Sequence, residues 1–160
     1  MHATRRWQQW IRVALVVGAG ACASAGGGAS GSGGTADGVK LYTRLGGYDA
    51  LAAVTDDFLG RILVDSVIAP YFRGLEPWQK SRVRQMIVDQ LCEATGGPCL
   101  YVGRPMKLAH EQMQMDDRVW NAFAGHFVAT LKKFAVKERE QRELLEIIGS
   151  MKGDIVHGGA

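Results

Sequence analysis

The sequence lacks a long apolar run near its N-terminus and any stretch with period-two alternation of apolar and polar residues. The apolar segment at residues 13–17 is far shorter than the roughly 20 residues that cross a bilayer, which disfavours a retained membrane helix. Without alternating segments, no strand is predicted. Apolar residues nevertheless make up 47% of the 160 residues and continue to Val156, so we expect one packed domain.

The chain also has little net charge once its N-terminus is set aside. The formal charge of +3 equals the contribution of Arg5, Arg6 and Arg12. Without these three residues, 16 basic residues face 16 acidic ones. A nucleic-acid binder needs a basic surface, so this balance disfavours nucleic acid as a partner.

The N-terminal segment has the order of an export signal: three arginines, the apolar residues 13–17 and then small residues. The small residues before Cys22 resemble a bacterial lipobox, although Ala19 stands where leucine is usual. The alternatives are an ordinary cleavage site at 21–23 and a disordered tail on a cytoplasmic protein. We expect a signal peptide at 1–22, with the lipoprotein type favoured, a flexible Gly/Ser/Ala linker at 23–39 and the folded domain at 40–160. The protein is then exported, either periplasmic or anchored by a lipid at Cys22.

Two cysteines of the domain lie seven residues apart, at Cys92 and Cys99. In an exported protein a disulfide between them would persist, and two reduced buried thiols are the alternative. Zinc is not indicated, because neither a second cysteine pair nor a pair of histidines at zinc spacing accompanies them.

Apolar residues recur at helical intervals in four long segments, which predicts an all-α domain with additional short helices. The first helix is predicted over 49–64, and the second runs from Pro77 to before Gly96. A short segment over 106–113 precedes a helix capped by Asp116 or Asp117. A final helix starts near Lys137 and has Leu144, Ile148, Met151 and Ile155 inward. Its charged run at 137–143 is predicted to be a solvated face with local ion pairs. Two facing pairs of such helices can enclose a flat apolar ligand.

Chemically, the domain offers few candidates. Outside the signal only His110, His126 and His157 remain, without a Ser-His-Asp arrangement, a phosphate-binding loop or paired zinc histidines. His110 lies among apolar neighbours and faces a helix with Val83, Met86, Ile87 and Leu91 inward. It could supply one axial nitrogen to an iron porphyrin, or it could be a hydrogen-bonded core histidine. An enzyme assignment stays open, because no acid, base or nucleophile is identifiable beside this site.

Several short motifs resemble those of group I truncated haemoglobins in order and approximate spacing, from about Leu41 to Val156. They are Leu41-Tyr42-x-x-Leu45-Gly46-Gly47, Asp57-Phe58, Tyr71-Phe72, Gly96-Gly97-Pro98 and Tyr101-x-Gly103-Arg104-x-Met106-Lys107-x-Ala109-His110. The resemblance implies a two-over-two helical sandwich around haem b, with a diatomic gas (O2, CO or NO) as ligand.

By position, the resemblance makes His110 the proximal iron ligand and Phe72 the aromatic residue that packs on the haem face. Tyr101, Lys107 and Arg82 match positions that reach the haem propionates, with ordinary surface residues as the alternative. Leu91, Met106 and Met115 complete the predicted haem contacts.

The chain departs from the family on the distal side of the haem. Leu59 stands where many members have a tyrosine, and Val83 and Ile87 stand where glutamines are common. An apolar distal pocket without a donor predicts weak discrimination in favour of oxygen and fast oxygen release. Met86 occupies a position where some relatives carry a second histidine, so its thioether is a candidate second iron ligand.

Three hypotheses of function follow. The first is a haem protein that binds or senses a gas. The second is a periplasmic redox protein with a redox partner, acting in electron transfer or as an NO dioxygenase. The third is a haem-free helical lipoprotein that acts as an interaction module. The sequence leaves the gas, the redox partner and the oligomeric state open.

Overall fold

The structure, a computed structural model, describes residues 38–157, so the predicted signal peptide and residues 23–37 of the predicted linker lie outside it. The described residues form helices and no strand, as predicted. None of these helices is long and apolar enough to cross a membrane. The helices are α1 (Leu41–Arg44), α2 (Gly47–Ile62), a 3-10 helix (Ala69–Phe72), α3 (Pro77–Ala94), α4 (Met106–His110), α5 (Asp117–Lys133), α6 (Glu138–Ser150) and α7 (Lys152–Ile155).

Helix α2 begins at a pair of glycines whose backbone only glycine adopts at low cost. Gly46 and Gly47 have φ angles of 97° and 78°, in the left-handed region. The helix begins and ends two residues before its predicted bounds. Its buried face contacts both α3 and α5, which places α2 at the centre of the helix packing.

Local capping defines the ends of the next long helices. At the start of α3, Glu76 and Gln79 form a capping box around Pro77. At the start of α5, the Asp116 carboxylate accepts a hydrogen bond from the Val119 backbone N–H at 2.9 Å. Asp116 is therefore the cap, rather than Asp117.

An aromatic cluster joins α2 to α5. The Phe58 ring meets the rings of Phe123 and Phe127 edge to face, with centroids 4.9 and 5.5 Å apart. Edge-to-face pairs of this kind add about 0.5–1.5 kcal/mol beyond the burial of their area. Leu131 of α5 and Leu144 of α6 are fully buried in the same core.

The prediction of one continuous final helix is wrong, because the segment breaks at Met151 between α6 and α7. Two local hydrogen bonds close the last turn of α6. The Ser150 hydroxyl donates to the Ile147 carbonyl at 2.6 Å, and the Met151 N–H donates to the Ile148 carbonyl at 3.0 Å. Such i to i−3 bonding tightens the helix end and ends the α-helical register.

The prediction that the charged run at 137–143 is a solvated face with local ion pairs is confirmed by the Arg139–Glu143 pair at 3.1 Å, but it is wrong for Glu140. Glu140 is only 7% exposed and accepts a hydrogen bond from the Arg44 guanidinium at 2.7 Å. Arg44 also bonds the Glu143 carboxylate, and this hydrogen bond lowers the pKa of Glu143. The reason is tertiary: α1 packs against α6, and an arginine of α1 requires carboxylate partners there.

Candidate functional site

A cavity of about 840 Å³ lies between α2, α3, α4, α5 and the C-terminal residues. Its size suits a cofactor or another large, mostly apolar ligand. Its wall includes most of the residues that the sequence singles out: Phe72, Arg82, Val83, Met86, Ile87, Leu91, Tyr101, Met106, His110 and Met115. The structure thus brings together residues that are up to 43 positions apart in the sequence.

His110 is the last residue of α4, and its half-buried side chain lines the cavity. Its Nδ1 lies 2.8 Å from the backbone carbonyl oxygen of Met106. Because a carbonyl can only accept, Nδ1 carries the proton, and in the neutral ring Nε2 keeps its lone pair. A histidine held in this tautomer by a backbone carbonyl is suited to bind a metal through Nε2.

One wall of the cavity belongs to α3 and is largely apolar. Val83, Met86 and Ile87 are half-buried and line the cavity, while Leu91 is buried one turn further along the helix. Two glutamines on the same helix also line the cavity, and one atom of each amide has a hydrogen-bond partner. Gln79 Oε1 accepts from the Glu76 backbone N–H at 2.8 Å, and Gln90 Nε2 donates to the Met151 sulfur at 3.4 Å.

Aromatic rings form the ends of the cavity. Phe72, at the end of the 3-10 helix, and the largely exposed Trp78, at the start of α3, line one end. On α5, the Trp120 ring stacks on Phe123 with centroids 5.8 Å apart, and both line the cavity. Flat rings at these positions suit a flat ligand.

The mouth of the cavity carries two exposed arginines, Arg82 and Arg104. Tyr101 folds back over Gly103, where an added Cβ would lie 2.3 Å from the tyrosine ring. The Tyr101 hydroxyl donates to the Arg104 carbonyl at 2.8 Å, and burial raises the pKa of Tyr101. The tyrosine proton is therefore already bonded to backbone, and the guanidinium groups are the free cationic donors among the lining residues.

Two residues of the predicted site do not line the cavity. Leu59 is buried at 8% exposure and belongs to the hydrophobic core, although its neighbour Phe58 lines the cavity. Lys107 is exposed on α4 and is absent from the lining. Short elements such as α4 turn neighbouring side chains to different sides, so proximity in sequence does not bring both to one wall.

Several lining residues are absent from the sequence-based set. Arg104 and Thr55 are among them, and neither carries a local signal, since isolated arginines and threonines are common on helices and loops. The methionines did carry a usable signal, which is their number in the second half of the chain. All five methionines of the described residues line the cavity, namely Met86, Met106, Met113, Met115 and Met151. Flexible thioethers adapt to an irregular or bulky ligand.

A disulfide joins Cys92, fully buried on α3, to Cys99 in the following loop. Of the two alternatives for this pair, the structure has the bonded one. The loop continues into Tyr101, Gly103 and Arg104 at the mouth of the cavity. The disulfide therefore fixes the segment that leads from the α3 wall to the helix of His110.

Comparison with known proteins decides the family. The profile of the bacterial-like globin family matches residues 40–157. The chain belongs to the truncated globin family, group I. It is 30% identical to the group 1 truncated hemoglobin GlbN of Mycolicibacterium paratuberculosis over 125 residues, which cover 78% of this chain and 90% of that protein. It is likewise 30% identical to GlbN of Nostoc commune, over 73% of this chain and 97% of the relative.

Solved structures agree with this assignment. The truncated hemoglobin from Tetrahymena pyriformis in the Fe(III) form is 25% identical, with a TM-score of 0.68, and the match covers 74% of this chain and 98% of that one. The 2/2 hemoglobin from Synechococcus sp. PCC 7002, in the cyanomet state with covalently attached heme, is 27% identical, with the same TM-score and coverage. The predicted two-over-two fold of a truncated globin is confirmed.

Haem is the cofactor of this family, and the residues of this truncated globin fit it. His110 presents an imidazole nitrogen suited to iron, and the α3 wall and aromatic rings suit the porphyrin faces. Arg82 and Arg104 offer positive charge for two propionates at the mouth. Thr55, whose buried Oγ1 has no protein partner, is also among the residues that line the cavity.

Proposed function

We propose that this protein binds a diatomic gas, O2, CO or NO, with haem b held by His110. When bound, haem supplies an iron centre with a coordination position for the gas. The observation that carries the proposal is the bond between His110 Nδ1 and the Met106 carbonyl at 2.8 Å, which leaves the Nε2 lone pair available within the cavity wall. Arg82 and Arg104 would orient the cofactor through its propionates.

The α3 wall sets the character of the gas site. Val83, Met86 and Ile87 have no hydrogen-bond donor in their side chains, and Gln90 Nε2 donates to the Met151 sulfur at 3.4 Å. Oxygen gains more from a donor than carbon monoxide does, because more negative charge accumulates on oxygen. From these three α3 side chains alone, we expect weak discrimination in favour of oxygen and fast oxygen release.

Export is part of the proposal. The order of charged, apolar and small residues at 1–22 supports it, and the Cys92–Cys99 disulfide agrees with an oxidising compartment. We expect protein recovered from the cell envelope to begin at Cys22 with the mass of a lipid attached. A mature chain without lipid mass would point to ordinary cleavage, and an intact Met1 in the cytoplasm would contradict export.

A redox role is the second candidate function, and Met86 favours it. Its side chain lines the cavity on the α3 wall, and a methionine thioether can serve as a haem ligand opposite a histidine. Such a pair of ligands raises the reduction potential and suits electron transfer with a partner protein.

Absorption spectra of the full chain, purified after expression with haem available, test the main proposal. We expect an intense Soret band that is weakened or shifted by His110→Ala, because the imidazole nitrogen is lost. His126→Ala is a matched control, since this histidine is also half-buried but does not line the cavity. Its Nε2 lies 2.9 Å from the Asp65 carboxylate. A wild-type protein without a Soret band, or equal effects of both variants, would refute the assignment of His110.

A further inference from the structure

Three threonines are buried in the described part of the chain, and one of them differs from the others. The Thr95 hydroxyl donates to the Leu91 carbonyl at 2.7 Å, and the Thr130 hydroxyl donates to Asp57 at 3.1 Å. Thr55 is 1% exposed, and its hydroxyl has no hydrogen-bond partner. A buried hydroxyl without a partner costs about 1–3 kcal/mol, so its presence requires an explanation.

The position of Thr55 indicates where a partner would be found. Within residues 38–157, three buried side-chain atoms lack a hydrogen-bond partner, and only Thr55 Oγ1 belongs to a residue that lines the cavity. Thr55 lies on the same face of α2 as Phe58 and Ile62, which also line the cavity. A threonine inside a helix usually bonds the carbonyl four residues earlier, and this one does not.

Packing alone does not explain a threonine here. Valine has nearly the same shape, the same branched Cβ and no polar atom to desolvate, so it would fill the same volume without the cost of an unpaired hydroxyl. The hydroxyl becomes favourable only if something inside the cavity accepts its proton. On the α3 wall, the Val83, Met86 and Ile87 side chains are apolar, and neither Gln79 nor Gln90 accepts a hydrogen bond from this hydroxyl.

We propose that Thr55 Oγ1 donates a hydrogen bond to a small oxygen-bearing ligand inside the haem cavity and so determines which gas is held longer. The inference rests on the proposed function and deepens it, since α2 adds a donor that the Val83, Met86 and Ile87 side chains of α3 lack. The ligand class is a diatomic molecule that can accept a hydrogen bond, with dioxygen as the strong acceptor and carbon monoxide as the weak one.

The test compares oxygen and carbon monoxide release from the haem-loaded full chain with its Thr55→Val variant. We expect oxygen release about fivefold faster in the variant, which corresponds to one hydrogen bond of about 1 kcal/mol. Carbon monoxide release should change by less than about twofold. A steric effect would move both gases alike, so the ratio of the two rates isolates the hydrogen bond.

Thr130→Val is the matched control, because it removes a buried hydroxyl that lies outside the cavity and has a protein partner. We expect it to lower the melting temperature and leave both release rates unchanged. Thr55→Val should keep or raise the wild-type melting temperature, because its hydroxyl has no protein partner to lose and valine removes the cost of burying it. A purely structural role for Thr55 would give a lower melting temperature with unchanged rates.

The outcomes are distinct. If wild type and Thr55→Val release oxygen at the same rate while both show the Soret band, the role of Thr55 is overturned and the haem assignment stands. If the wild-type chain binds no haem, the proposed function fails and this inference fails with it. A selective acceleration of oxygen release supports both.

Discussion

Removal of the Cys92–Cys99 disulfide should destabilise the domain and loosen the mouth of the haem cavity. The bond closes a short loop, with a sequence separation of seven. Loop-closure entropy for a loop of this length corresponds to about 2.5 kcal/mol of stability. For a domain of this size, that is a fall in melting temperature of roughly 8–12 °C. Replacing the buried Cys92 by alanine should add about 1 kcal/mol for the space left behind.

The assay compares the haem-loaded full chain, oxidised and reduced, with the double variant Cys92→Ala/Cys99→Ala under both conditions. Reduction leaves the covalent chain of the wild type otherwise unchanged, so it separates the loop-closure effect from the lost side-chain volume. Haem loss to an excess of an acceptor apoglobin is measured in the same four samples. We expect faster loss without the disulfide, because Tyr101 and Arg104 at the mouth follow Cys99 closely.

The double variant also serves as the control for Cys22, the third cysteine of the chain. It should not respond to the reductant. Oxidised and reduced wild type that melt within about 2 °C of each other, with equal rates of haem loss, would refute the loop-closure argument. A reductant effect that persists in the double variant would assign the change to Cys22 or to the haem iron rather than to the Cys92–Cys99 disulfide.

Two further variants test the site and the packing that supports it. Met86→Leu should leave the ferric and ferrous absorption spectra unchanged, because binding of a gas requires that no side chain occupies its position on the iron. Altered spectra would identify Met86 as an iron ligand and favour the redox role. Burial tends to raise the pKa of Asp57, but hydrogen bonds from Lys133, Arg61 and Thr130 outweigh it and lower that pKa. Asp57→Asn should therefore cost about 1–2 kcal/mol at pH 7. The carboxylate stabilises the fold above its unfolded pKa of about 3.9 and loses this effect as the pH falls through the lower folded pKa. The difference in melting temperature between Asp57→Asn and wild type should therefore become smaller below about pH 4. A difference in melting temperature that stays constant with pH would contradict this role of the Asp57 charge.

Much of the fold was predictable because its determinants are local. The apolar positions of α2, α3 and α5 recur at helical intervals, and the caps at Pro77 and Asp116 are short-range patterns. The break at Met151 escaped prediction because the apolar repeat continues through it. The hydrogen bonds that end α6 involve Ser150 and backbone carbonyls, which leave no mark on that repeat.

The site was predictable where a family motif names a residue. His110, Phe72 and the α3 residues line one cavity, as the motif order implied. Leu59 and Arg104 show the limit of that approach. A motif position indicates the helix on which a residue lies, but the packing angle of that helix decides whether its side chain reaches the cavity or the core.

The sequence by itself determined the helical class, the family, the histidine that lines the cavity and the pair of cysteines able to bond. These follow from periodicity and from residue types at fixed spacing, which do not depend on how helices meet. Only the tertiary structure decided that Glu140 is buried against Arg44, that five methionines line one cavity and that Thr55 Oγ1 has no partner. Each of these depends on which side chains from distant helices exclude water from the same volume, and no local pattern records that.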